Sequence, residues 1–148
     1  MQLKEKTTDK LPDFLHLKQQ YDNLPKGAQA DLRRARTPDN IADLPAYYRW
    51  LGSTPPSTNM QRIAYLMPFV AQNPDAQSLG RQLAASKISE MRMFQTLRSE
   101  APRDLEHLRR LIIQAKPKLD WREFGKTLYY WGPTSKRRIL HNFFTPEK

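Results

Sequence analysis

Cysteine is missing from all 148 residues. This excludes disulfides and thiolate metal sites, and it leaves His16, His107 and His141 as scattered imidazoles without ligand spacing. No structural metal and no cofactor is therefore expected. Glycine is scarce, with five in the chain, and none of them builds a phosphate-cradling GxxxxGK loop. No apolar run approaches the roughly 18 residues that span a bilayer. The first ten residues are charged and carry no apolar signal-peptide core. The expectation is a soluble, cytoplasmic protein with no membrane partner. Carboxylates mostly stand singly between basic residues, whereas a metal nuclease needs several converging on one point. Ser and Cys nucleophile motifs are also missing, so the chain does not read as an enzyme. Period-two alternation and hairpin dipeptides such as Asn-Gly are absent as well, which argues for an all-α fold with no sheet.

What the chain has in plenty is positive charge: 25 Lys and Arg against 15 Asp and Glu, a net charge of +10. Such an excess points to an anionic partner, with phosphate the foremost candidate. Helical spacing of apolar residues recurs along the whole length. Leu11 to Leu24 forms one helix, with Pro12 in its first turn and Pro25 and Gly27 stopping it. Ala28 to Ala35 forms a second, with Leu32 inward and Arg33, Arg34 and Arg36 near its C-terminal end, where the helix dipole favours cations. Thr37-Pro38 reads as an N-cap and first helical residue, and Leu44 to Leu51 as an aromatic-rich helix. Met60 to Gln72 follows, interrupted by Pro68, with Arg62 free to face out. Asn73-Pro74-Asp75 breaks the pattern and divides the chain into two small helical bundles, an N-terminal lobe of residues 1–73 and a C-terminal lobe of residues 74–148.

The stretch from Arg98 to Trp131 is densest in information. From Asp104 to Ala115, Leu105, Leu108, Leu111, Ile112 and Ala115 make an apolar stripe. At about 100° per residue, Arg103 and Arg110 lie nearly opposite that stripe and Arg109 at its edge. An arginine row balanced locally by Glu106 alone suits phosphate oxygens, which the planar guanidinium binds well. Pro117 closes this helix. The next one begins at Leu119-Asp120-Trp121 and has Phe124, Leu128 and Trp131 as buried residues. The last helix, from about Thr134 to Phe144, carries Lys136, Arg137 and Arg138 in its first turn. Cations there oppose the macrodipole, at about 0.3–1 kcal/mol each, which marks them as candidates for an anion contact. Three classes remain open on these grounds: a component of a nucleic-acid complex, a generic helical protein binding nucleic acid without sequence preference, and a protein–protein adaptor with a basic face.

Several fragments, in this order, resemble a known family: Leu32-Arg33-Arg34, Leu44-Pro45-Ala46-Tyr47-Tyr48-Arg49, Ser78-Leu79-Gly80-Arg81, Phe94-Gln95-Thr96-Leu97-Arg98, Leu108-Arg109-Arg110-Leu111, Leu119-Asp120-Trp121 and Tyr130-Trp131-Gly132. Their order and spacing are similar to those of the CasB small subunit of type I-E CRISPR Cascade complexes, over residues from about Lys26 to Phe144. The resemblance implies an all-helical, two-lobed, non-catalytic subunit of an RNA-guided antiviral surveillance complex. The implied partners are guide RNA, the target and non-target DNA strands, the large subunit, the repeated backbone subunits and a second copy of itself. The implied work is to steady the guide–target hybrid and the displaced strand of the R-loop. Arg33, Arg34, Arg98, Arg109 and Arg110 fall on basic positions of the family's motifs, and Arg62 falls near one. Together with Arg103, Lys136, Arg137 and Arg138, these make up the expected nucleic-acid-binding set.

Overall fold

Capping side chains set where most of the helices begin. In the computed structural model, which describes residues 11–145, the Asp13 carboxylate accepts from the His16 N–H and starts α1 (Phe14–Asp22). Ser57, Ser78, Ser89 and Asp120 do the same for α4 (Thr58–Leu66), α5 (Leu79–Ala85), α6 (Glu90–Arg98) and α8 (Trp121–Tyr129). Each side chain satisfies one of the N–H groups left without a partner in the first turn. Pro residues open α3 (Pro45–Leu51) and α9 (Pro133–Phe144) instead, where a fixed φ and a missing N–H do no harm. The other two helices are α2 (Lys26–Arg33) and α7 (Arg103–Ala115). Thr37 caps a 3-10 helix, Pro38–Asp43, through the Asn40 N–H.

The fold is all-α, as expected, with one addition. The helix anticipated from Met60 to Gln72 ends at Leu66; a 3-10 turn, Met67–Phe69, carries Pro68, and the chain then straightens into β1 (Ala71–Gln72). This pairs in parallel with β2 (Lys118–Leu119), so the expectation of no sheet is corrected. Two-residue strands are too short to show alternation, which is why periodicity did not reveal them. Side chains reinforce the join: Gln72 Nε2 donates to Asp120 Oδ1 at 3.1 Å, and the Trp121 N–H donates to Gln72 Oε1 at 2.7 Å.

Trp50, Tyr47, Ile63, Tyr65 and Leu66 from the elements before this join, and Leu83, Leu108, Ile112, Trp121 and Leu128 from those after β1, are fully buried within one apolar cluster. Burying an aromatic or large aliphatic side chain contributes on the order of 2 kcal/mol. Both buried indoles also donate a hydrogen bond, Trp50 Nε1 to the Leu17 carbonyl and Trp121 Nε1 to the Val70 carbonyl, each at 2.9 Å. Trp131, expected in the core, is only half-buried. Two glycines mark close approaches. A Cβ on Gly125 would lie 2.2 Å from Phe14 Cγ, and one on Gly80 would lie 2.3 Å from the Ile139 carbonyl oxygen. Glycine is what lets α1 settle on α8 and α5 on α9. No helix among the described residues is long and apolar enough to cross a membrane.

Candidate nucleic-acid interface

The expected basic residues divide into those whose charge is consumed inside the protein and those that face solvent. Arg62, anticipated as outward-facing, turns in: its Nε donates to the Leu128 carbonyl and its Nη2 to the Tyr129 carbonyl, both at 2.8 Å. Asn59 Nδ2 donates to the same Tyr129 oxygen at 2.8 Å. These bonds satisfy carbonyls that the end of α8 leaves open. Burial lowers the Arg62 pKa from its ordinary value, and the negative charge of Asp104 works against that shift. Apolar spacing had left this position facing out, and periodicity is blind to a carbonyl presented by a distant helix.

Lys136 is likewise engaged. Its Nζ lies 2.6 Å from Asp104 Oδ2 and donates to the Ser99 carbonyl at 2.9 Å. The Asp104 carboxylate, 1% exposed, also accepts from Trp131 Nε1 at 2.8 Å and from the Leu105 N–H at 2.7 Å. The cluster ties the start of α7 to the start of α9. It also explains how a cation is tolerated there. Pro133 is the first residue of α9, so Lys136, Arg137 and Arg138 sit in the second turn rather than the first. The dipole has weakened at that depth, and a buried carboxylate answers Lys136.

Arg109 stands between the two classes. Its guanidinium lies 4.5 Å above the Tyr65 ring and 5.7 Å above the Phe69 ring, and Nη1 donates to the Ala35 carbonyl. That carbonyl follows the end of α2. The Tyr65 hydroxyl donates to the next one, on Arg36, at 3.0 Å. Burial raises the Tyr65 pKa, while Arg109 and Arg110 pull it down. The result is a corner where the last turn of α2 meets the outer face of α7.

Solvent-facing cations gather at this corner. Arg33, Arg34 and Arg36 are exposed at the end of α2, and Arg110 is exposed on α7, its Nη1 3.2 Å from His107 Nδ1. Arg34 pairs with Asp31 on its own helix, and Arg33 lies against the Tyr21 phenol. Arg36 and Arg110, far apart in sequence, thus meet around Tyr65, whose phenol donates to the Arg36 carbonyl and feels the Arg110 charge. Arg36 belongs to this corner although the expected set omits it. The signal was present in Arg33-Arg34-Ala35-Arg36, where Arg33 and Arg34 joined the expected set and Arg36 had been left to the helix dipole.

The remaining expected residues lie elsewhere. Arg98 and Arg137 are exposed on a groove between α6 and α9, and Arg103 lines an adjacent depression with Ser99 and Pro102. Arg138 faces a different groove, lined by Glu123, Ser135 and Ile139.

Comparison with known proteins bears directly on this geometry. A family model for the CRISPR-associated protein Cse2 matches residues 28–144. The chain belongs to the Cse2 family. It is 31% identical over 147 residues to the Cascade subunit CasB of Escherichia coli strain K12, covering 88% of this chain and 92% of that one. A chain in the crystal structure of E. coli Cascade bound to a PAM-containing double-stranded DNA target superposes with a TM-score of 0.83, covering 90% of this chain and 95% of that one at 31% identity. The matched region starts at Ala28 and so takes in both the α2 arginines and the α7 arginines of the basic corner. Membership in this family accounts for the order of fragments along the chain, from Leu32-Arg33-Arg34 to Tyr130-Trp131-Gly132.

Proposed function

We propose that this protein is the non-catalytic small subunit of a type I-E Cascade complex, and that Arg33, Arg34, Arg36 and Arg110 contact nucleic-acid backbone within it. Its partners are guide RNA, the target and non-target DNA strands, the large and repeated backbone subunits and a second copy of itself, in the cytoplasm. The observation that carries this reading is the Arg109 clasp on the Ala35 carbonyl, which ties the arginine-bearing end of α2 to α7, where Arg110 is exposed. Such a surface reads phosphate and not base identity, because phosphates are the same in every sequence. That suits a complex in which guide pairing supplies the specificity. Exchanging a DNA duplex for an RNA–DNA hybrid is close to balanced, so a few backbone contacts tip it.

The test pairs two measurements on the assembled complex. Arg110→Ala and Arg36→Ala should each lower R-loop yield on unrelated target sequences alike, with guide retention and subunit stoichiometry unchanged. For the isolated chain meeting about four phosphates of a single strand, log K against log salt should have a slope of about −3, shallower by about 0.7 for each contact removed. Full R-loop yield by both variants at physiological salt would refute the assignment of this corner. Lost subunits would point instead to an adaptor.

A further inference from the structure

The groove between α6 and α9 is built differently from the basic corner. It spans about 340 Å³, with the half-buried Leu97 and Leu140 as its apolar floor and the exposed Phe94, Arg98, Pro133 and Arg137 around them. Further apolar surface is exposed on the same two helices: Met91 is 71% exposed, Phe144 44% and Phe94 36%. Met91, Phe94 and Arg98 recur at helical spacing along α6 and so share one face of it.

We propose that this groove docks a segment of a partner protein that carries an apolar side chain flanked by carboxylates. The apolar side chain enters the trough, and the carboxylates meet Arg98 and Arg137. Charge complementarity selects this occupant: the rim is cationic on two sides, and the floor offers only carbon. Interface anchors have this form, with a desolvated apolar centre inside a polar ring. The groove is a poor platform for bases, which stack on open aromatic faces. The Phe94 ring has the Arg98 guanidinium 5.7 Å above it and the Phe144 ring packed at 5.9 Å, so it is already engaged. Lys136, which also borders the groove, spends its ammonium on Asp104 and the Ser99 carbonyl. The proposal stands on the groove alone and does not depend on the nucleic-acid reading of the α2–α7 corner. It moves Arg98 and Arg137 from a phosphate-binding role to a protein-binding one.

The test uses the purified full chain as bait for a phage-displayed random peptide library, followed by anisotropy with a labelled synthetic peptide of the enriched sequence. Enriched peptides should place Leu, Met or Phe between Asp or Glu residues. The double variant Arg98→Glu/Arg137→Glu should weaken binding at least about tenfold, equivalent to about 1.4 kcal/mol. Changing the peptide's acids to Lys should restore affinity for that variant. In parallel, the milder Arg98→Gln/Arg137→Gln should leave the salt slope for a single-stranded RNA oligonucleotide unchanged. The proposal is overturned by no enrichment, by basic consensus peptides, or by peptide binding indifferent to the charge reversal. An RNA slope shallower by about 1.4 would assign the rim to phosphate. Self-association abolished by the Glu variant would assign the groove to a second copy.

Discussion

Around Asp104, a carboxylate almost wholly out of water collects Lys136, Trp131 and the field of Arg62. Further along the same helix, Arg110 projects into solvent with His107 beside it. The two regions carry cations of similar kind but opposite employment. At the first, charge is a fastener: each donor has an acceptor fixed by backbone, and removing either partner strands the other. At the second, charge is held in reserve, and the protein has arranged supports so that it can be. Arg109 shows how near the two can lie, since it is adjacent to Arg110 and yet spent on the Ala35 carbonyl and two aromatic rings. A count of basic residues therefore overstates a binding surface. What decides is whether an internal acceptor lies within reach.

Substitutions sharpen or break this contrast. The largest effect is expected from Asp104→Ala, which leaves the Lys136 ammonium partly buried without its counter-charge, at a cost of about 3–5 kcal/mol. Thermal unfolding followed by circular dichroism should drop by roughly 10 °C. The double variant Asp104→Leu/Lys136→Met should recover much of that loss. If it did not, the pair would be more than a fastener. Next comes Arg62→Ala, which removes one donor from each of the Leu128 and Tyr129 carbonyls and should cost about 2 kcal/mol while leaving the nucleic-acid salt slope as it was. A shallower slope would place Arg62 among the reserve charges.

A smaller effect concerns Asp120, the cap of α8. Burial alone would raise its carboxyl pKa, but hydrogen bonds from Arg122 and Gln72 outweigh it and hold the pKa below the ordinary carboxylate value. A depressed folded value means that the contribution is present above the unfolded pKa and is lost as pH falls through the folded one. Melting temperature should therefore decline less steeply below about pH 4 in Asp120→Asn than in the parent. An identical acid limb in both would remove Asp120 from the account. Smallest in stability is Arg110→Ala, expected within about 0.5 kcal/mol of the parent despite its effect on nucleic-acid binding. A melting temperature lowered like that of Arg62→Ala would erase the distinction between the two regions.

Helix positions were legible because caps and apolar spacing are local properties. Thr37 caps, Pro68 ends a helix, and the stripe of α7 leaves Arg103 and Arg110 outside, all as the residues indicate. What could not be read was long-range. The β1–β2 pair joins Ala71 to Lys118, and neither dipeptide carries a strand pattern by itself. Arg62, Arg109 and Lys136 lose their freedom to acceptors 66, 74 and 37 residues away, and no periodicity reports such distances. Arg36 failed to stand out for the converse reason. Its neighbourhood with Arg110 exists only because Arg109 and Tyr65 hold the end of α2 against α7 and α4.

The contact between Phe14 and Gly125 sets an order of events during synthesis. α1 leaves the ribosome well before the backbone it settles against at Gly125, which lies more than a hundred residues downstream. At roughly 5–20 residues per second, the first helix waits on the order of ten seconds for its seat. Through that interval Phe14, destined for the core, lacks its α8 neighbour, although α1 already has Trp50 of α3 to pack on. A translation product truncated before α8 would present the Phe14 face of α1 unprotected.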